Sequence, residues 1–139
     1  MRGAMMPAGR YYVGDLCYVM HDRWDEACNV TLHGGIVLNG TFNLPDGKRF
    51  AMFSTQWGDG SYSGNDGNNY CVDSGSIGCI LLSDITDKEH KHSIESKLGH
   101  VHDFAEPFRV SENEGVIKIG HIHIDTDPQF DYDQSEEFV

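Results

Sequence analysis

Three short turn signals, each placed between two strand-like runs, constrain the fold of this chain most strongly. They are Pro45-Asp46-Gly47, Asn65-Asp66-Gly67 and Asn113-Glu114-Gly115. Glycine takes positive φ at low cost, proline presets φ, and Asp or Asn closes a turn with its own side chain, so such triplets favour tight reversals. The flanking runs are short and rich in aromatic and β-branched residues, which is typical of strands. The sequence therefore predicts a fold built from β-hairpins.

Helical patterns are confined to two short segments. Asp22 is suited to cap a helix of about two turns, because Trp24, Ala27 and Cys28 would fall on one side of it. Residues 86–98 have a thin apolar face, which leaves helix and loop as alternatives. We therefore expect an all-β or β-rich protein, an antiparallel, hairpin-built barrel or sandwich with one or two short helices.

The length of 139 residues indicates a single folded domain. We expect residues 1–9 to form a flexible N-terminus and residues 10–126 to form the β-rich domain. Residues 127–139 contain five acidic and no basic side chains and show little periodicity, so we expect an acidic mobile tail there.

The charge balance narrows the choice of partners. The formal net charge is −12, from 22 acidic and 10 basic residues. Phosphate backbones and anionic membrane surfaces both require a basic footprint, so we expect neither a nucleic acid nor a membrane as partner. An unknown protein or a small molecule is the expected partner, and homo-oligomer formation is left open.

The four cysteines, Cys17, Cys28, Cys71 and Cys79, fit no common zinc spacing. The N-terminal text MRGAMMPAGR lacks the apolar run of a signal peptide, and no segment approaches the length of a membrane span. We therefore expect a soluble, cytoplasmic protein with reduced cysteines.

The histidines of the C-terminal third suggest a metal site. Residues 99–126 hold two His-x-His pairs, and alternate residues of a strand share one face, where two imidazoles can hold a zinc ion. If Asn113-Glu114 is a two-residue turn, Glu106 lies opposite His121. In the same register, His102 lies opposite Asp125. The predicted zinc ligands are His102, Glu106, His121, His123 and Asp125.

A second interpretation starts from the isoleucines of the same segment. Ile117 and Ile119 have the opposite parity to Ile122 and Ile124, and the parity changes at Gly120. A glycine bulge there would direct all four isoleucines toward the core and leave the following histidines on the solvent face. We favour this interpretation over the metal site, because burial of the isoleucines should fix the register.

Three blocks of the sequence carry a resemblance to other proteins. They are YYVGDLCYV followed by Trp24, WGDGSY at 57–62, and VDSGSIGCI at 72–80. The chain resembles small proteins of unassigned function from bacteria, phages and algal viruses that carry similar Gly-Asp blocks. The likeness spans residues 10 to about 125. It implies a single β-rich domain, and it implies no functional residue because no activity is assigned to such proteins.

Two functional hypotheses follow. The first is a small non-catalytic β-domain that binds a protein or a small ligand, which needs no cofactor. The second is a metal-dependent hydrolase of the zinc type that uses the predicted ligands of the C-terminal hairpin. The chain contains no nucleophile elbow, phosphate-binding loop or dinucleotide fingerprint, which favours the first hypothesis.

Overall fold

The computed structural model describes residues 2–126, so the tail predicted at 127–139 lies outside the described residues. The strands are β1 (Arg2–Met6), β2 (Gly9–Gly14), β3 (Leu32–His33), β4 (Ile36–Val37), β5 (Gly40–Asn43), β6 (Arg49–Ser54), β7 (Gly60–Ser63), β8 (Asn69–Val72), β9 (Ser76–Leu81), β10 (His100–Phe104), β11 (Phe108–Asn113), β12 (Val116–Ile119) and β13 (Ile122–Asp125). The α-helices are α1 (Trp24–Thr31) and α2 (His90–Glu95), and single 3₁₀ turns lie at Leu16–Tyr18, His21–Arg23 and Leu82–Asp84.

The strands pair antiparallel throughout, which confirms the predicted β-rich class. A five-stranded sheet has the order β10-β2-β9-β6-β5, and a four-stranded sheet has the order β1-β11-β12-β13. Two-stranded ribbons are formed by β3-β4 and by β7-β8. Neither of the larger sheets closes on itself, so the sandwich fits better than the closed barrel.

The five-stranded sheet is the middle layer, and both of its faces are buried. One face carries Tyr11, Val13 and Phe53, which join a core cluster with the isoleucines of β12 and β13. The opposite face carries Tyr12 and Phe50, which join a second cluster with apolar residues of α1 and of the 3₁₀ turns. Because β9 is covered on both sides, it reads as an apolar run without alternation.

Each predicted turn signal connects two paired strands, which confirms the three hairpins. The last one differs in detail, since Asn113 pairs with Val116 and the turn residues are Glu114 and Gly115. Their φ values are 52° and 87°. Two positive φ values define the type I′ turn, whose twist suits antiparallel strands, and this explains the shift of one residue from the prediction.

The predicted pairing between the two His-x-His segments is wrong. β10 pairs with β2, where His102 lies opposite Tyr11. β13 pairs with β12, where His123 lies opposite Lys118 and Asp125 opposite Val116. β10 completes the central sheet in this arrangement, whereas the predicted pairing of β10 with β13 would leave β2 at the edge of that sheet.

Gly120 begins a two-residue turn, and the predicted bulge at this position is wrong. Ile119 pairs directly with Ile122, so the chain reverses at Gly120 with a φ of 59°. Glycine at the first central position is typical of a type II′ turn. The prediction for the isoleucines is confirmed, because the four side chains at 117, 119, 122 and 124 are at most 1% exposed. A reversal of the chain at Gly120, like a bulge, lets all four isoleucine side chains point toward the core.

The N-terminus differs from the flexible segment expected at residues 1–9. Residues 2–6 form β1, which pairs along its length with β11. Ala4 lies opposite Val110 in this pairing, and Met6 is 1% exposed within the main core cluster. Burial of Met6 and a full ladder of backbone hydrogen bonds explain why these residues are part of the sheet.

The first Gly-Asp block forms a buried clamp between distant segments. Asp15, which is fully buried, accepts hydrogen bonds from the backbone amides of Cys17, Asp73 and Ser74 at 2.7–2.9 Å. The Ser74 hydroxyl donates to the same carboxylate at 2.7 Å. The first and third resemblance blocks therefore contact each other, and the residues that make this contact stabilise the fold.

Membrane-spanning helices are absent from residues 2–126, since none of the helices there is long and apolar enough to cross a bilayer.

Candidate functional site

The five predicted metal ligands lie at separate places in the structure. His102 is on β10, His121 is in the β12–β13 turn, and Glu106 is exposed in the loop between β10 and β11. His123 and Asp125 lie on the exposed face of β13. Of these five, His102 and His121 come together, with ring centroids 6.2 Å apart. Within residues 2–126, no three His, Cys, Asp or Glu side chains are arranged to hold a metal ion.

His102 has two partners that the sequence analysis missed. Its Nε2 atom lies 3.1 Å from Asp66 Oδ2 and 3.1 Å from Tyr70 Oη. The Tyr70 hydroxyl donates to the same carboxylate oxygen. Asp66 belongs to the β7–β8 turn and Tyr70 to β8, so this triad joins a hairpin to the edge strand β10. The sequence places Asp66 in a predicted turn, but no spacing pattern in the sequence predicts its contact with His102.

The triad combines an ionised carboxylate with a neutral imidazole. Burial, and then the neighbouring histidines, lower the pKa of His102, although Asp66 acts in the opposite direction. Burial raises the pKa of Asp66, but hydrogen bonds from Tyr70 and Asn68 outweigh it, so the net pKa is lowered. Burial also raises the pKa of Tyr70, which keeps its proton. The neutral ring of His102 then donates its Nε2–H toward Asp66.

This arrangement predicts a pH dependence of stability that can be assigned to His102. Its pKa in the folded state lies below the unfolded value of about 6.5, so the unfolded chain binds more protons as the pH falls through that value. Stability is therefore lost on acidification. We expect the free energy of unfolding, measured with urea, to fall more between pH about 7.5 and about 5.5 in the wild type than in His102→Gln.

His33→Gln is the control for this prediction, because it makes the same substitution at an exposed histidine outside the triad. An identical pH dependence of His102→Gln and the wild type would show that His102 does not have a lowered pKa.

A groove of about 370 Å³ lies between α1 and the five-stranded sheet. Its lining comes from the helix and its C-terminal end and from β6, β9 and the loop before β9: Trp24, Cys28, Thr31, Leu32, Met52, Ser54, Ser74, Gly75 and Ser76. The volume falls in the range of about 300–1,000 Å³ that is typical of small-molecule sites. Apolar walls with a few polar groups are also typical of such sites. No sequence motif predicted this groove.

Exposed apolar side chains lie on two segments beside the groove. Leu32 and Ile36, on the β3–β4 ribbon that follows α1, and Leu38, directly after that ribbon, are 50%, 66% and 41% exposed. Trp57, which is 56% exposed, lies in the loop after β6, and this loop is hydrogen-bonded to Gly75 through Thr55. Exposed apolar groups that gather around a concave surface indicate a binding site more strongly than single exposed residues do.

No family model, curated protein or solved structure matches the chain. A function for this protein must therefore be inferred from the geometry of its own residues.

Proposed function

We propose that this protein is a non-catalytic binding module, and that the groove between α1 and the five-stranded sheet binds a small molecule with an apolar body and a polar end. The observation that carries this proposal is the lining of the groove. Trp24, Met52 and Leu32 supply apolar surface, and the serines of β9 and of the loop before it supply hydrogen-bonding oxygens. The exposed apolar ribbon beside the groove extends the surface that a ligand can cover.

The chemistry of the lining favours binding over covalent catalysis. Burial, and then the charge of Asp25, raise the pKa of the Cys28 thiol, so this group remains protonated and weakly nucleophilic. The Ser74 hydroxyl donates to Asp15, which already accepts from three backbone amides. A carboxylate that holds the fold together in this way is poorly placed to accept a proton during a reaction.

The proposal is tested by filling the groove from the helix side. The probe is 2-phenylethanol, and binding is followed by the NMR shifts of the Gly75 and Ser76 amides. We expect saturable shifts in the wild type and their loss in Cys28→Phe, because the added ring occupies the groove. Asn29→Phe adds the same ring to an exposed position one residue along α1 and should bind like the wild type. Unchanged binding by Cys28→Phe, or no shifts in the wild type with this alcohol or with its charged analogues, would contradict the proposal.

The alternative function, a zinc-dependent hydrolase, has one observation in its favour. Carboxylates commonly orient metal-bound histidines through the second ring nitrogen, and Asp66 contacts His102 in this manner. His121 would be the second ligand, and its ring lies beside that of His102. A third ligand close to both is missing from the described part of the chain, so we rank this function second.

A double replacement of His121 and His123 by Asn separates the two functions. Both side chains are exposed, and exposed substitutions change stability by at most about 0.5 kcal/mol. Two such substitutions together change stability by at most about 1 kcal/mol, so we expect the melting temperature to change by no more than about 4 °C. Zinc should not raise the melting temperature of the wild-type protein, and a chelator should not lower it. A large loss of stability in the variant, reproduced in the wild type by a chelator, would favour the metal site.

A further inference from the structure

Asp15 fixes the direction of the hydrogen bonds at the floor of the groove. The Ser74 hydroxyl donates its proton to Asp15 Oδ1 at 2.7 Å. Ser74 Oγ can then only accept at its 2.8 Å contact with Ser76 Oγ, so the Ser76 hydroxyl donates to it. Each hydroxyl has a single proton, and Ser76 has used its own. The Ser76 oxygen therefore offers the groove lone pairs and no donor.

The Thr31 hydroxyl, on the helix side of the groove, likewise has no free proton to donate. Its hydroxyl donates to the backbone carbonyls of Ala27 at 2.9 Å and Cys28 at 3.3 Å, within its own helix. The Thr31 proton is thus directed away from the groove, and the oxygen keeps its lone pairs. Neither Ser76 nor Thr31 therefore has a hydroxyl proton left to donate to a ligand.

The charge of Asp15, close to Ser76, also favours a ligand that donates hydrogen bonds. The Asp15 carboxylate is fully buried and lies two hydrogen bonds behind the Ser76 oxygen, where a charge is poorly screened by solvent. The whole chain carries a net charge of −12. Trp24 lines the helix side of the groove, and indole rings attract cations through their π face. Acceptor oxygens, a buried negative charge and an indole ring all favour a positively charged donor.

We propose that the ligand of the groove is a small organic ammonium compound, an amine that carries an aromatic or aliphatic body. This inference rests on the proposed function, since it names the ligand class of the same groove. The ammonium group donates to the oxygens of Ser76 and Thr31, and its apolar body packs against the walls formed by Trp24, Met52 and Leu32. Anionic molecules of the same shape should bind more weakly, because the oxygen lone pairs and the buried carboxylate of Asp15 repel a negative charge.

Three probes of similar size test the charge preference. They are 2-phenylethylamine, which is cationic at neutral pH, the neutral 2-phenylethanol, and the anionic 3-phenylpropionate. Dissociation constants are measured from the NMR shifts of the Gly75 and Ser76 amides. We expect the amine to bind at least about tenfold more tightly than the carboxylate, with the alcohol between them. Equal or tighter binding of the alcohol or the carboxylate would overturn the ammonium proposal and leave the binding function intact. Failure of all three probes would overturn both.

Ser76→Ala tests the acceptor directly. The smaller side chain fits the same space, and a thermal melt verifies that the variant is folded. We expect the affinity for 2-phenylethylamine to fall by about tenfold, because the ammonium group loses an acceptor. Ser61→Ala, on the exposed part of β7, should bind like the wild type. An affinity of Ser76→Ala equal to that of the wild type would overturn the role assigned to the Ser76 oxygen and with it the ammonium proposal.

Discussion

Asp15→Ala should remove a large part of the stability of this protein. The substitution leaves three partly buried backbone amides, those of Cys17, Asp73 and Ser74, without their acceptor. An unsatisfied buried donor costs about 1–3 kcal/mol, and partly buried donors fall in the lower part of this range, so for three of them we expect a loss of about 3–6 kcal/mol in the free energy of unfolding, measured with urea. This is a large fraction of the stability of an ordinary domain, which is about 5–15 kcal/mol.

Asp15→Asn distinguishes the acceptor role from simple space filling. The amide keeps the shape of the carboxylate but replaces one acceptor oxygen by a donor that faces backbone N–H groups. We expect a loss of about 2–4 kcal/mol. The matched control is Asp59→Asn, in the second Gly-Asp block, because Asp59 is exposed and its replacement should change stability by less than about 0.5 kcal/mol. Similar small losses of stability in Asp15→Asn and Asp59→Asn would show that the hydrogen bonds of Asp15 do not stabilise the fold.

Gly78→Ala should be the second most damaging substitution. β6 and β9 approach so closely at this position that a Cβ atom on Gly78 would lie 1.9 Å from the Ala51 carbonyl oxygen. The neighbouring atoms belong to the backbone of a central strand, which cannot move aside without breaking the ladder. We expect a loss of at least about 3 kcal/mol in the free energy of unfolding, or failure to accumulate as folded protein.

Gly47→Ala provides the comparison for this prediction. Gly47 lies in the β5–β6 turn with a φ of 92°, and a Cβ atom there would meet no atom within 4 Å. This variant bears the strain of the left-handed backbone alone, about 1 kcal/mol, whereas Gly78→Ala bears the steric clash alone. Measured losses that are equal, or larger for Gly47→Ala, would show that the strands can separate at Gly78.

The sequence predicts those parts of the fold that depend on neighbouring residues. Pro45-Asp46-Gly47 and Asn65-Asp66-Gly67 determine their hairpins through the conformations of the turn residues themselves. The change of parity at Gly120 likewise predicts the burial of the isoleucines around it. A bulge and a reversal both restore parity, however, and the sequence does not distinguish them.

Contacts between distant segments are the parts that the sequence does not predict. Asp15 contacts residues 58 and 59 positions away, and His102 contacts Tyr70 from 32 positions away. Neither pair has a spacing that distinguishes it from chance. The groove depends on how α1 packs over β6 and β9, so its lining is assembled only when the helix and the sheet are in place.

The pairing of β1 with β11 has a consequence for the order in which the chain folds during synthesis. Arg2 lies opposite Glu112 and Met6 opposite Phe108, so β1 leaves the ribosome well before its partner strand β11. At about 5–20 residues per second, the delay is about 5–20 s. During this time β1 has no partner strand, because β11, β12 and β13 have not yet been made, and the apolar side chain of Met6 has no core in which to be buried.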